Sequence, residues 1–302
     1  MTQDPPIANP ESPLPKSQAR PLEGLTVGVS VSFGEDSASH GFTEEEMNRA
    51  IVRLSDALLS AGAQLVFGHD WRPGGVMSAV ARLAVAYDPA VASADDEAAR
   101  RSCRITNLVP WDRKPELPPD LRDDLERRGI LRIEQVPLPT VLAQQEAEIG
   151  KRTVRAAALC LLRRRLAELC DARICLGGKF QNYEGFWPGI LEEVFTSALQ
   201  SQGRQVLLSG MLGGAAEKIL QAARTGNWEN LLQLSPDVEL RKGFESLQRS
   251  VASLFPELRR APEVLSWNNL QQRSGLNEAD WESLADATDI EAVNALAIKA
   301  LQ

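Results

Sequence analysis

The chain has 302 residues, 43% of them hydrophobic, and a formal net charge of −8. That length suits one large domain or two small ones with a sizeable core, and the acidic balance argues against a nucleic-acid partner, which would need a basic face. No apolar run approaches the ~18 residues that span a bilayer, so a membrane is not an expected partner either.

Residues 1–22 carry Pro5, Pro6, Pro10, Pro13, Pro15 and Pro21 with few large apolar groups. Such a stretch buries too little surface to offset chain entropy and reads as a disordered tail. It lacks the apolar segment of a signal peptide, which points to a cytoplasmic protein. Order begins at "GLTVGVSVSFG", where Leu25, Val27, Val29 and Val31 alternate as in a strand that ends at Gly34. "TEEEMNRAIVRLSDALLSAGA" follows. Thr43 and Glu46 predict a capping box, Met47, Ile51, Leu54 and Leu58 recur at helical spacing, and Gly62 suits the position after the helix. "QLVFG" is a second strand and "VMSAVARLAVAYD" a second helix.

The alternation continues. "RITNLVP" and "LRIEQVPLP" predict strands, and residues 151–170 a long helix. "ARICLGG" and "RQVLLSG" predict strands, followed by the helices "GILEEVFTSALQ" and "GGAAEKILQAA". Alternating strands and helices form βαβ units, so the fold class is α/β, a parallel sheet with helices on both faces. Ligands in such folds bind at the carboxyl ends of the strands, near the topological switch point. From residue 226 to 302 only helices are predicted, as an extension packed on the domain of residues 23–225.

The four cysteines, Cys103, Cys160, Cys170 and Cys175, include no C-x-x-C pair, and His40 and His69 lie far from them in sequence. No metal site is expected, and the thiols read as reduced and partly buried.

Unusual residues gather at the carboxyl ends of the predicted strands. Ser30 and Ser32 end the first, and "GHDWRPGG", with Asp70, Arg72, Gly74 and Gly75, follows the second. Gly177, Gly178 and Lys179 follow the "ARICLGG" strand, and Gly210, Gly213 and Gly214 follow the next. A glycine turn at a helix N-terminus presents unpaired N–H donors and the positive end of the dipole, so these loops on one rim point to a phosphate-bearing ligand. None is a Walker A motif or an intact G-x-G-x-x-G, which argues against an ATPase or a standard dehydrogenase. No Gly-x-Ser-x-Gly surrounds either serine, so a serine hydrolase is not indicated.

Asp70 and Arg72 read equally as ribose and phosphate ligands or as a loop ion pair worth ~0–1 kcal/mol. His69 is expected to be a hydrogen-bonding loop residue rather than a base. In "CLGGKFQNYEGFWPGILEE", Pro188 suits a first helical turn and Gly189 leaves the terminus open to a ligand. Glu192 and Glu193 either complement the helix dipole or reach a pocket, as acceptors for ribose hydroxyls or as an acid/base; pattern alone leaves open which one faces it. Tyr183, Phe186 and Trp187 either stack on a base or pack the loop.

"DARICLGGKFQNYEGFWPGILEE" resembles the signature of the SLOG superfamily, the Rossmann-like relatives of the LOG phosphoribohydrolases, of DprA and of the TRPM channel N-terminal region. LOG enzymes carry P-G-G-x-G-T-x-x-E, in which glycines cradle phosphate and a Glu acts on the N-glycosidic bond. This chain keeps the glycines and a helix-borne Glu pair but inserts a polar, aromatic loop between Gly178 and Pro188. "GHDWRPGG", "SGMLGGAA" and the closing "GLNEADWESLADATDIEAVNALAIKAL" are similar to bacterial SLOG groups of conflict systems. The resemblance implies a nucleotide or NAD-derived ligand, ADP-ribose among them, bound by a sensor of antiphage defence with an effector protein as partner and a homo-oligomeric state. It favours Glu193 over Glu192 as the catalytic residue if the protein is a glycosidase. It also implies a site arginine within Arg163-Arg164-Arg165, with Arg163 the first candidate. No resident cofactor is assigned; the alternative to a sensor is a LOG-like N-glycosidase.

Overall fold

The computed structural model describes residues 20–71, 75–87, 103–200 and 204–302. Six parallel strands form one sheet in the order β4-β3-β2-β1-β5-β6. They are β1 Thr26–Ser32, β2 Gln64–Gly68, β3 Ile105–Pro110, β4 Leu131–Val136, β5 Ala172–Gly177 and β6 Gln205–Ser209. The order reverses at β1, whose neighbours are β2 and β5. The predicted Rossmann-like fold is therefore the observed one, with its switch point between β1 and β5.

The helices used below are α1 Glu35–Ser39, α2 Glu44–Ser60, α3 Met77–Ala84, α4 Pro119–Arg127, α5 Thr140–Ile149 and α6 Lys151–Leu169. They continue with α7 Gly189–Ala198, α8 Gly214–Thr225, α9 Val238–Val251, α10 Trp267–Ser274, α11 Glu278–Ala285 and α12 Ile290–Leu301. The capping box of α2 is present: the Thr43 side chain accepts from the Glu46 N–H, and Glu46 accepts from the Thr43 N–H at 2.8 Å.

Strand β1 divides its residues by face. Val27 and Val29 join the main core with Leu65 and Phe67 of β2 and the buried side of α2. On the other side Val66 and Leu108 pack with Leu162 and Leu166 of α6. Strands β3 and β5 are buried along their whole length, as parallel strands covered on both faces must be. Helices α10 to α12 pack against the edge strand β6, and α12 also lies on α2. The C-terminal helices thereby cover a sheet edge that would otherwise expose unpaired backbone groups.

Residues 1–19 of the expected tail lie outside the described residues, but its last part does not behave as a tail. Leu22 is fully buried in the core, and its N–H donates to the Ala61 carbonyl at 2.8 Å. The physical reason is local. Gly62, at φ +101°, leaves room for the 20–23 turn; a Cβ there would stand 2.7 Å from the Arg20 Cβ.

Candidate functional site

A cavity of 360 Å3 opens at the carboxyl ends of β1, β2 and β3, beside the switch point. Its floor is the small, polar face of β1. Gly28, Ser30 and Ser32 alternate with the valines and lie beside Arg173, Cys175 and Gly177 of β5. Arg173 is 1% exposed and runs across Gly28, where a Cβ would meet its guanidinium at 3.0 Å. It donates to the Ser30 hydroxyl at 2.7 Å and the Ser197 hydroxyl at 2.8 Å, and lies 3.4 Å from the Glu193 carboxylate. The Ser30 hydroxyl donates to the same Glu193 oxygen in a short bond. Glu193 is thus fixed at the cavity wall by β1 and β5.

Glu192 points the other way. It is fully buried and paired with Arg163 at 2.7 Å. Burial pushes its carboxyl above the usual range, against the pull of Arg163. Of the three consecutive arginines only Arg163 reaches the cavity. Arg164 donates to the Ser253 carbonyl and Arg165 to Glu134.

This placement answers the glycines of the 177–193 stretch. A Cβ at Gly189 would meet the Arg163 guanidinium at 2.8 Å, and one at Gly185 at 2.9 Å. The terminus of α7 is therefore not left open by Gly189; Arg163 fills the space. Pro188 is not in the first turn but caps it, with φ −53° and ψ 130°.

The other glycines also pack against protein. Gly178, at φ +97°, leaves no room for a Cβ against Ile190, which would lie 2.3 Å away, and its carbonyl accepts from Ala215. Gly214 lies on that carbonyl, and Gly177 on Leu212. Gly213 lies against the His40 ring. Gly210 donates to the Ala285 carbonyl at 2.9 Å. The expected glycine cradle is thus a contact between the β5 and β6 loops, and these glycines do not line the cavity, nor does Gly75. Arg72 and Gly74 lie outside the described residues.

Of the remaining expected residues, Ser30, Ser32, Asp70, Lys179 and Glu193 all line it. Ser32 accepts from the Lys179 N–H at 3.3 Å, and Asp70 from the Val76 N–H at 3.1 Å. No pattern in the sequence pointed to Arg113, which follows β3, or to Glu184. Arg155 had a signal: with Leu159 and Arg163 it forms an i, i+4, i+8 stripe on α6. Arg173 had one too, as a charge inside an apolar strand opposite a glycine. Among the described residues, neither Arg113 nor Lys179 has a carboxylate within ion-pair distance, so both bring an unpaired positive charge to a cavity that Asp70 and Glu193 also line. His69 also lines it, with a buried Nδ1 that has no hydrogen-bond partner among the described residues. Burial, then Arg113, holds its pKa below the ordinary 6.5.

The aromatic loop divides. Phe186 and Trp187 pack on Phe244 of α9, with ring centroids 4.9 and 5.0 Å apart. They belong to the core, and Tyr183 alone of the three remains half-buried at the surface. The cysteines are free and buried, more deeply than expected. No helix among the described residues is long and apolar enough to cross a membrane.

Residues 21–279 match the family model described as SLOG cluster2, and the chain belongs to that family. Membership makes the sheet a Rossmann-like, nucleotide-related domain. No curated protein matches the sequence significantly.

Proposed function

We propose that this SLOG cluster2 protein binds a nucleotide or NAD-derived nucleotide in the cavity at the carboxyl ends of β1 to β3. It would act as the sensor of a bacterial defence or signalling system that informs an effector protein. The observation that carries the reading is the division of charge in the cavity. Arg113 and Lys179 offer positive charge without a carboxylate partner among the described residues, and Glu193 is held as an acceptor by Ser30 and Arg173. Phosphate fits the first pair and ribose hydroxyls fit the second. The phosphate is thus assigned to side chains rather than to the glycine loops.

A sensor is favoured over an N-glycosidase because Glu193 is engaged from the side of the sheet by a hydroxyl and a guanidinium. That arrangement suits holding a hydroxyl group more than delivering a proton to a leaving base. The glycosidase reading retains one supporting observation: a glutamate of the first α7 turns lines the cavity, as the LOG resemblance implies.

Calorimetry with AMP on the wild type and on the Arg113→Ala, Lys179→Ala double variant tests the reading. The expected result is binding by the wild type and a loss of about 1.5–3 kcal/mol or more in the variant. Equal affinities would remove these cations from the site. Chromatography of wild type incubated with AMP and NAD should show no free base; release of base would favour the glycosidase.

A further inference from the structure

A further cavity, of 660 Å3, lies on the opposite rim of the sheet. Its walls are the end of α7, the start of β6, residues 260–264 and the last turn of α10. Gln205 opens β6 and stands in register with Ala172, the first residue of β5, so the cavity sits at the amino ends of these strands. The cavity over β1 to β3 lies at the carboxyl ends, and the two have no lining residue in common.

The charges of this second cavity do not cancel. Arg204, Arg260 and Arg273 line it against one carboxylate, Glu263, which lies 3.8 Å from Arg260. Arg204 donates from one Nη1 to the Ala167 carbonyl near the end of α6, and among the described residues it has no carboxylate within ion-pair distance. Arg273 has neither an ion pair nor a side-chain hydrogen bond among those residues. It is half-buried all the same, and burial pulls its pKa below the ordinary value with no partner to oppose the pull. The other withdrawn arginines of this protein are matched: Arg163 and Arg173 each face a glutamate, at 2.7 and 3.4 Å. A cation taken from water without a counter-charge costs free energy, and an anion placed beside it offsets that cost.

Arg273 also lies in the last turn of α10, where a cation complements the helix dipole. That role works equally well from solvent and does not require a half-buried guanidinium. The remaining polar wall is neutral and held in place. The Gln205 amide donates to the Ala300 carbonyl at 2.6 Å, and Asn269 to the Glu263 carbonyl at 2.7 Å. Gly275, at φ +74°, admits the Gln205 side chain, whose nitrogen would stand 2.5 Å from a Cβ there. Ligand pockets span roughly 300–1,000 Å3, and this volume falls within that range.

We infer that this cavity is a second binding site, for a small dianion whose oxygens pair with Arg204 and Arg273. Two guanidiniums without carboxylates call for two negative charges, and their planar forks accept a phosphate monoester or a dicarboxylate. The inference goes beyond the nucleotide reading and does not depend on it.

Calorimetry with inorganic phosphate and glycerol 3-phosphate, and separately with succinate and 2-oxoglutarate, tests the site and distinguishes the two sources of the dianion. The proteins are wild type, Arg273→Gln, Leu199→Glu and the Arg113→Ala, Lys179→Ala double variant, each checked by its melting temperature. Leu199 lines the cavity and is 44% exposed, so Leu199→Glu brings a carboxylate into it without touching the core. That variant keeps the test decisive even if Arg273→Gln does not fold. At least one probe should bind wild type and the double variant alike, and at least about tenfold more weakly to Arg273→Gln and to Leu199→Glu. Binding confined to the phosphates or to the dicarboxylates identifies the source. Three results would overturn the inference: no probe binds wild type, binding is unchanged in Arg273→Gln and Leu199→Glu, or binding is lost in the double variant, which would place the anion in the first cavity.

Discussion

Glu192 and Glu193 differ by one residue and about 100° of helix rotation, and that rotation separates a carboxylate buried against Arg163 from one at the cavity wall. Glu192→Gln takes the 2.7 Å partner from the buried Arg163 and leaves it only Glu193 at 3.9 Å, so it should destabilise by about 3–5 kcal/mol in a denaturant titration. Glu193→Gln should weaken AMP binding by about 1–3 kcal/mol through a lost charge-assisted bond to ribose, and because it also takes from the buried Arg173 its carboxylate at 3.4 Å it should lower stability as well. The reverse pattern would exchange the two roles. His69 gives a pH signature. Its folded-state pKa lies below 6.5, held down by burial and then by Arg113, so the ring is neutral at neutral pH. A bound phosphate favours the protonated ring, so affinity should rise as pH falls from about 8 to 5. The same shift makes the unfolded chain the stronger proton binder, so stability is lost as pH falls from the unfolded value down through the depressed folded one. His69→Gln should flatten the affinity profile, while an unchanged profile would place the ring away from the ligand. The glutamate pair was visible in sequence, but its assignment needed the neighbours. Arg163 and Arg173 reach Glu192 and Glu193 from other elements, and no periodicity within α7 encodes them.

At the scale of elements, local signals sufficed wherever the local chain decides the outcome. The Thr43 capping box, the valine alternation of β1 and the strand-helix rhythm all correspond to elements in the structure. Glycine was the misleading signal, because a tight turn around phosphate and a close contact between two loops call for the same residue. Gly178 shows which applies. At φ +97° with Ile190 2.3 Å from a built Cβ, it is needed for the approach of the β5 loop to α7 and α8. Gly178→Val should therefore destabilise the protein without ligand by about 1–3 kcal/mol or more, from overpacking and backbone strain. A variant with wild-type melting temperature but impaired AMP binding would instead return this loop to the phosphate. The aromatic loop was undecided for a similar reason: Phe186 and Trp187 find their partner, Phe244, in a helix that follows in sequence and has no strand signal to tie it to the sheet.

For the whole molecule, the βαβ rhythm and the family resemblance made the Rossmann-like sheet legible, while the strand order came from the structure. That order puts β1 at the centre, where its polar face becomes the cavity floor and its apolar face anchors the core. The chain just before β1 is therefore mechanically important, and composition alone misjudged its boundary. Proline content marked residues 1–22 as one unit, yet Leu22 carries no proline-like constraint and fits the space that Gly62 opens beside α2. A chain beginning at Arg20 keeps Leu22, its bond to Ala61 and its contact with Gly62, and it should melt with the full-length protein. A chain beginning at Gly24 loses a fully buried leucine and its backbone hydrogen bond. The cavity left behind should cost about 2–5 kcal/mol. At roughly 2–4 °C per kcal/mol for a domain of this size, the melting temperature should fall by about 4–20 °C. Calorimetric melting of the three chains measures both differences. A drop already present in the chain beginning at Arg20 would show that residues 1–19 contribute to the folded domain, against the expectation from their composition.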